Sequence, residues 1–179
     1  MNFLSGSIGS VILFLVFSGG VAAQNSNADL FGIILSDEIQ NYSADLYTAE
    51  VDAYAGPPFM TVDVVPPLRN NNFSSYFVSY DSSNNRIAQI TAFEPFADLN
   101  TCAVAANSLS SSVSQKYNIA PVPNDFVSGV MRSYGFLYPS ETFVASVTCL
   151  VYGGADVSLL VDLRTHEYDA VLTAGGNQF

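Results

Sequence analysis

Histidine is the usual general base of nucleophilic catalysis. This chain has one histidine, His166, in the segment Arg164-Thr-His-Glu-Tyr-Asp169. A Ser-His-acid or Cys-His catalytic system would have to use it. The segment is polar, which favours an exposed turn or strand end over a pocket. The chain also lacks the Gly-x-Ser-x-Gly motif of a nucleophile elbow. We therefore expect His166 to be a surface residue and assign no catalytic residue.

Pairs of carboxylates are the second candidate chemistry, because two acids that flank a glycosidic bond can hydrolyse it. The chain has 16 Asp and Glu residues, so several will lie close together by chance. It has no Trp to stack on a sugar, although its 10 Tyr residues could partly replace that platform. The candidate acids are Asp37, Glu38, Asp63, Glu94, Asp98, Asp162, Glu167 and Asp169.

Two loops have compositions that suggest ion binding. Asp81-Ser-Ser-Asn-Asn85 offers oxygen ligands, but an EF-hand loop needs Gly and Glu where this chain has Arg86 and Ala92. We interpret that loop as a hairpin turn. Gly153-Gly-Ala-Asp156 joins two predicted strands and does not open a helix, so it lacks the context of a phosphate-binding loop. The sequence therefore gives no metal-binding or cofactor-binding residue.

Residues 1–23 have the features of a cleaved secretory signal peptide. The apolar core Val11–Phe17 is followed by Ser18-Gly-Gly and then by Val21-Ala-Ala, small residues that are typical of a cleavage site. An uncleaved membrane anchor is the alternative, although a span needs about 20 mostly apolar residues. We predict an exported chain, in the periplasm or outside the cell, that touches the membrane only through this leader.

Cys102 and Cys149 are the two cysteines of the chain. An even number of cysteines in an exported chain favours a disulfide. It would close a loop of about 46 residues and stabilise the fold by on the order of 3–4 kcal/mol. Two buried free thiols are the alternative. A zinc site is disfavoured, because two Cys and one His without a Cys-x-x-Cys pair make a poor ligand set.

The charge balance excludes several classes of function. The formal net charge is -11, and 5 Lys and Arg residues cannot neutralise a nucleic-acid backbone or form a polybasic membrane-binding surface. A wholly disordered chain is excluded because 49% of the residues are hydrophobic. A strongly negative protein attracts cationic partners, which favours a basic protein as a binding partner.

Alternating apolar residues predict an antiparallel sheet within one domain at 30–174, between a flexible lead-in at 24–29 and a loose tail at 175–179. The segment 41–55 allows either a strand or an irregular edge. The predicted strands cover residues 30–35, 59–65, 75–80, 86–93, 143–152, 157–164 and 166–172.

A long helix is predicted over Asp98–Tyr117, capped by Asn100 or Thr101. A shorter helix is predicted over Asn124–Tyr134, with Gly135 as its end. The apolar stripe of the long helix consists of Cys102, Ala106, Leu109, Val113 and Tyr117.

The order of strands, helices and strands predicts an α+β fold, with one long and one short helix packed on one face of an antiparallel sheet. Cys102 lies on the stripe of the long helix, and Cys149 shares a strand face with Phe143, Ala145 and Val147. If both faces point at the same core, the disulfide joins the helix to the sheet.

Most of the chain after the leader resembles a group of small exported bacterial proteins of unassigned function with a hairpin–helix–hairpin domain. The resemblance implies a bacterial envelope location and carries over no functional residue. It depends on four stretches: Leu30-Phe-Gly-Ile-Ile-Leu, Pro66-Pro-Leu-Arg-Asn-Asn-Asn-Phe-Ser-Ser-Tyr-Phe-Val-Ser-Tyr-Asp, Arg86-Ile-Ala-Gln-Ile-Thr-Ala and Gln115-Lys-Tyr-Asn.

These observations favour a non-enzymatic exported domain that binds another macromolecule, such as a basic protein or another component of the cell envelope. A small exported hydrolase that uses carboxylates and a structural subunit of a surface assembly are the alternatives. Tyrosine is common at interfaces, and the candidates for a tyrosine-lined binding face are Tyr76, Tyr80, Tyr134, Tyr152 and Tyr168.

Overall fold

The computed structural model describes residues 28–42, 51–52, 55–128, 130–154 and 156–175. The predicted leader lies outside these residues, as do most of the lead-in and the part of the tail that follows Gly175.

A nine-stranded antiparallel sheet organises the described residues, and a separate two-stranded ribbon accompanies it. The ribbon consists of β1 (Asp29–Leu30) and β2 (Ile33–Ile34). The strands of the sheet are β3 (Val51–Asp52), β4 (Phe59–Asp63), β5 (Ser75–Asp81), β6 (Arg86–Phe96), β7 (Val122–Pro123), β8 (Phe126–Ser128), β9 (Met131–Pro139), β10 (Val144–Tyr152) and β11 (Asp156–Arg164). Their order is β3-β4-β5-β6-β11-β10-β9-β7, and β8 also pairs with β9.

In the part of the chain that the structure describes, two α-helices accompany the sheet, the long α1 (Leu99–Tyr117) and the short α2 (His166–Gly175), together with a 3-10 turn at Ile39–Asn41. The predicted α+β fold with one long helix, one short helix and an antiparallel sheet is confirmed. Both predicted hairpins are confirmed as well, because β5 pairs with β6 and β10 pairs with β11.

Helix α1 forms where its apolar stripe predicts it. The cap is Asp98, whose carboxylate accepts a hydrogen bond from Thr101 N–H at 2.9 Å, and not Asn100 or Thr101. The helix ends at Asn118, whose left-handed backbone (φ 54°) lets its N–H bond to Ser114 O. The stripe packs into the main core, where the buried helix residues are Cys102, Ala106, Leu109, Ser110 and Val113.

The predicted short helix at 124–134 is wrong, because this segment forms β8 and the start of β9. Strand β9 pairs with β10 along its full length, from Met131 to Pro139. Gly135 is not a helix end but a close contact, since a Cβ atom there would lie 2.3 Å from Val147 O. Pairing with β10 therefore decides the structure of a segment whose apolar spacing also fits a helix.

The predicted edge strand at 166–172 is also wrong, because these residues begin helix α2. Thr165 Oγ1 accepts a hydrogen bond from Tyr168 N–H at 3.2 Å and so caps the first turn. Glu167 and Asp169 lie in that turn, where the helix dipole favours negative charge.

The short helix packs on the sheet face opposite α1. Tyr168 is 1% exposed and forms a second, small apolar cluster with Phe59 and Ala88. Its ring meets Phe59 edge-on, with 4.9 Å between the centroids. The two helices therefore cover different faces, whereas the sequence predicts both on one face.

Ala88 reaches that second cluster because of a bulge in β6. Tyr80 pairs with Ile87 and Ser79 pairs with Gln89, which leaves Ala88 unpaired between them. The alternation along β6 is therefore interrupted: Ile87, Ile90 and Ala92 point into the main core, and Ala88 points into the second cluster.

The segment 30–35, predicted as one strand, is instead a tight ribbon. Phe31 and Gly32 both have positive φ (54° and 78°), which reverses the chain between β1 and β2. Asp29, the last residue of the predicted lead-in, belongs to β1, and Lys116 Nζ lies 3.0 Å from its carboxylate. The ribbon is thereby fixed to the end of α1.

Candidate functional site

The disulfide between Cys102 and Cys149 is present, and it joins the first turn of α1 to the middle of β10. The Cα atoms are 5.9 Å apart, and both residues are 0% exposed. The predicted helix-to-strand pairing is therefore confirmed. A fully buried disulfide is inaccessible to solvent thiols, so its role is to hold the fold.

Among the described residues, the buried charges form one network between the sheet and α2. Arg164 Nη1 donates to Asp162 Oδ1, and Arg164 Nε donates to Asp169 Oδ1, each at 2.6 Å. Ser146 Oγ donates to the other oxygen of Asp162 at 2.7 Å. Asp162 and Arg164 are 8% and 7% exposed. The network therefore fixes α2 against the sheet.

Asp162 and Asp169, two of the eight candidate acids, are occupied by this network. Burial by itself lowers the pKa of the Arg164 guanidinium, but the two carboxylates outweigh burial and raise that pKa above its ordinary value. The arginine is therefore a permanent cation that compensates both acids. A general acid must be free to give a proton to a substrate, whereas both of these carboxylates bond to Arg164. The arrangement therefore suits a structural role.

His166 lies at the start of α2 as an exposed side chain, as predicted. Its Nε2 atom lies 3.0 Å from the carbonyl oxygen of Ser140. Glu167 is exposed beside it, whereas Asp162 is buried in the Arg164 network. The structure therefore places these three residues in a continuous stretch of chain but in different environments.

One groove of about 240 Å³ opens beside β4 and β5. Asp63 and Arg69 are its charged lining residues, so it offers one carboxylate and not a pair. Tyr76 forms its inner wall and is fixed there, since its hydroxyl accepts from Asn70 N–H at 2.8 Å and donates to Asn70 O. The groove is small and open, and it does not bring together a hydrolytic pair of acids.

The loop Asp81–Asn85 is the predicted hairpin turn between β5 and β6. Asp81 Oδ1 accepts from Ser83 N–H and Oδ2 accepts from the Asn84 amide, both at 2.8 Å. These bonds hold the pKa of the Asp81 carboxyl below its ordinary value, chiefly through the Ser83 backbone N–H. Both carboxylate oxygens are therefore used inside the turn.

We expect the Asp81 carboxyl to titrate, in an NMR pH series, below the value of about 3.9 found in unfolded peptides. Its contribution to stability is present above that value and is lost as the pH falls through the lower, folded-state pKa. Asn84→Ala removes one donor and should raise the midpoint part of the way. A midpoint at or above the peptide value would contradict the turn geometry.

The predicted tyrosine-lined face is not assembled. Tyr76, Tyr80 and Tyr168 are buried, and Tyr134 is half-buried beside Asn107 of α1, whose amide lies 3.2 Å from its hydroxyl. Tyr152 is the exposed member, at 57%. Four of these five tyrosines therefore pack in the core or against α1, and Tyr152 is the one on the surface.

Exposed apolar side chains instead gather where β8, β9 and the end of β10 meet. We call this set the apolar corner; its members and exposed fractions are Phe126 (42%), Val127 (72%), Val130 (64%) and Tyr152 (57%). Contiguous exposed apolar surface marks interaction sites more often than isolated residues do. The apolar corner is therefore the best candidate binding surface among the described residues.

Strand pairing brings the apolar corner together. Tyr152 pairs with Met131, and the β8–β9 hairpin returns the chain so that Val127 pairs with Arg132. Gly153 N–H bonds to Val130 O at 3.1 Å and holds the two hairpin ends side by side. Sequence reasoning missed this site because it placed Phe126, Val127 and Val130 on the buried face of a helix.

Among the described residues, no three His, Cys, Asp or Glu side chains are grouped closely enough to hold a metal ion. The described helices are too short or too polar to cross a bilayer. Comparison with protein-family models, curated proteins and solved structures gives no match to this chain.

Proposed function

We propose that this chain is a non-enzymatic exported domain that binds another protein, in the periplasm or at the cell surface, through the apolar corner. The observation that carries the proposal is the exposure of four large apolar side chains at one end of the sheet. Burying such side chains against a partner removes apolar surface from water, which is the main source of affinity in protein association.

The negative charge of the chain supports a basic partner. The net charge is -11, and the carboxylates of Asp125 and Asp156 are exposed next to the apolar corner, with Arg132 as the neighbouring cation. A negative field accelerates the approach of a cationic protein, while the apolar contacts slow its release. Affinity would therefore combine a salt-sensitive association with an apolar contact.

The buried disulfide supports the location outside the cytosol. Disulfides persist in oxidising compartments, such as the periplasm and the extracellular space, and are rare in the reducing cytosol. Residues 1–23 supply the export signal that this location requires.

The test compares two valines of equal exposure. Val127 in the apolar corner and Val104 on α1 are both 72% exposed. With immobilised protein and an envelope extract at low and moderate salt, we expect Val127→Asp to lower the captured amount of the bound protein by about tenfold. Val104→Asp should leave that amount unchanged.

Equal loss from both variants, or from neither, would contradict the assignment of the apolar corner. Capture that is the same at both salt concentrations would remove the electrostatic part of the proposal. Binding that depends on Val127 at both salt concentrations would still support an apolar contact between the apolar corner and the partner.

A further inference from the structure

The groove beside β4 and β5 opens where these two strands stop pairing. Strand pairing ends at Asp63, and one more backbone bond follows, from Val64 N–H to Tyr76 O at 3.0 Å. The proline that comes two residues later has no N–H with which to continue the ladder. The segments 63–66 and 74–76 form the two sides of the resulting opening, about 240 Å³ in volume, which we call the charged groove.

Two side chains of opposite charge line the charged groove, Asp63 and Arg69, and both are exposed. Among the described residues, neither side chain has a hydrogen-bond or ion-pair partner, so the two charges do not neutralise each other in direct contact. Burial raises the pKa of the Tyr76 hydroxyl above its ordinary value, and the Asn70 N–H and the positive charge of Arg69 oppose that rise. The guanidinium of Arg69 therefore lies within electrostatic range of the inner wall of the groove.

The rest of the lining carries no charge. Val65 is 61% exposed and gives one side of the groove an apolar surface, whereas Ser74 and Ser75 give the other side hydroxyl groups. A ligand with one charge would pair with one of the two charged side chains and leave the other without a partner. A small molecule that carries both an ammonium group and a carboxylate matches both of them.

We propose that the charged groove binds a small zwitterion, an amino acid or dipeptide with an apolar side chain. Arg69 binds the carboxylate, because its planar guanidinium offers two parallel N–H donors. Asp63 accepts hydrogen bonds from the ammonium group, and Val65 contacts the apolar side chain. Pockets for drug-sized ligands ordinarily measure about 300–1,000 Å³ and enclose most of the ligand. Since the charged groove is smaller and open, we expect a dissociation constant of about 1 mM.

The test is a ligand titration of the purified, disulfide-bonded chain, expressed with its own leader, followed by two-dimensional NMR at about pH 6. The probes are leucine, N-acetylleucine, which keeps only the carboxylate, and leucinamide, whose one charge at this pH is its protonated amino group. A zwitterion should shift the amide signals of Val64, Val65 and Ser75 and bind about fivefold more tightly than either singly charged probe. Alanylalanine, whose two charges lie farther apart than those of leucine, distinguishes a dipeptide site from an amino-acid site.

Three charge-removing variants locate the binding site. Arg69→Gln and Asp63→Asn should each weaken binding of the tighter zwitterion about fivefold, because each removes one of its two ionic contacts. Glu141→Gln removes an exposed carboxylate from the turn between β9 and β10 and should bind like the wild type. All three positions are exposed, and circular dichroism checks that each variant is folded. If one groove variant unfolds, the other carries the test.

Three results would overturn the proposal. The first is that neither leucine nor alanylalanine binds at millimolar concentration. The second is that a singly charged probe binds as tightly as the better zwitterion. The third is that the folded groove variants bind that zwitterion as tightly as Glu141→Gln does.

The charged groove is independent of the apolar corner, since β6 and β11 lie between β5 and β10 in the sheet. Arg69→Gln should therefore leave the capture of a protein by the apolar corner unchanged, and Val127→Asp should leave zwitterion binding unchanged. Failure of one proposal can in this way be distinguished from failure of the other.

Discussion

Replacing both Cys102 and Cys149 with alanine is expected to lower the free energy of unfolding by about 4 kcal/mol. The disulfide joins residues 47 positions apart, so its loss restores the freedom of a long loop to the unfolded chain. It also leaves two fully buried sites without their sulfur atoms, which adds a cavity term. Urea unfolding followed by circular dichroism measures the difference.

The matched control for this experiment is Val104→Ala, an exposed substitution on the same helix that should change stability by less than about 0.5 kcal/mol. Intact mass under non-reducing conditions should be lower by two hydrogen atoms than the mass of the reduced chain. A cysteine-free variant with the stability of the wild type would show that α1 is held to the sheet by packing alone.

Replacing Arg164 with methionine is expected to destabilise the fold by about 3–5 kcal/mol, because it leaves buried carboxylates without their cation. Asp162 is the more affected acid, since it is 8% exposed and its remaining partner is the Ser146 hydroxyl. Asp169, on α2, loses the bond that fixes the helix to the sheet. Thermal and urea unfolding give the size of the effect.

The charge-based explanation predicts a specific rescue. Adding Asp162→Asn and Asp169→Asn to Arg164→Met removes the uncompensated charges and should recover most of the lost stability. A triple variant that recovers no stability would instead indicate lost packing of the arginine side chain.

Local patterns identified the elements whose two faces differ strongly. Alternation over 75–80 and 86–93, and again over 143–152 and 157–164, predicts the two hairpins, and the five-residue stripe from Cys102 to Tyr117 predicts α1. In each case the apolar residues repeat with the period of the element, so the sequence shows which face of the element is buried. The disulfide follows from two such faces that share one core.

Tertiary contacts overrode local pattern in two segments. The spacing of Phe126, Val127, Val130 and Met131 fits a helix. Instead, β9 pairs with β10 over nine residues, and β8 pairs with β9 on its other side. In the other segment, Tyr168 and its neighbours fit a strand, but Thr165 caps a helix whose first turn is acidic. Short apolar runs are ambiguous between the two periods, and long-range pairing decides.

By itself, then, the sequence determined the α+β class, the long helix, the two hairpins and the pairing of its two sulfurs, because each is encoded in residues close in the chain or in a face with a clear period. Only the tertiary structure decided which face of the sheet α2 covers and where apolar residues remain exposed. Those features depend on strand order and on a bulge at Ala88, which bring together residues that no local pattern connects.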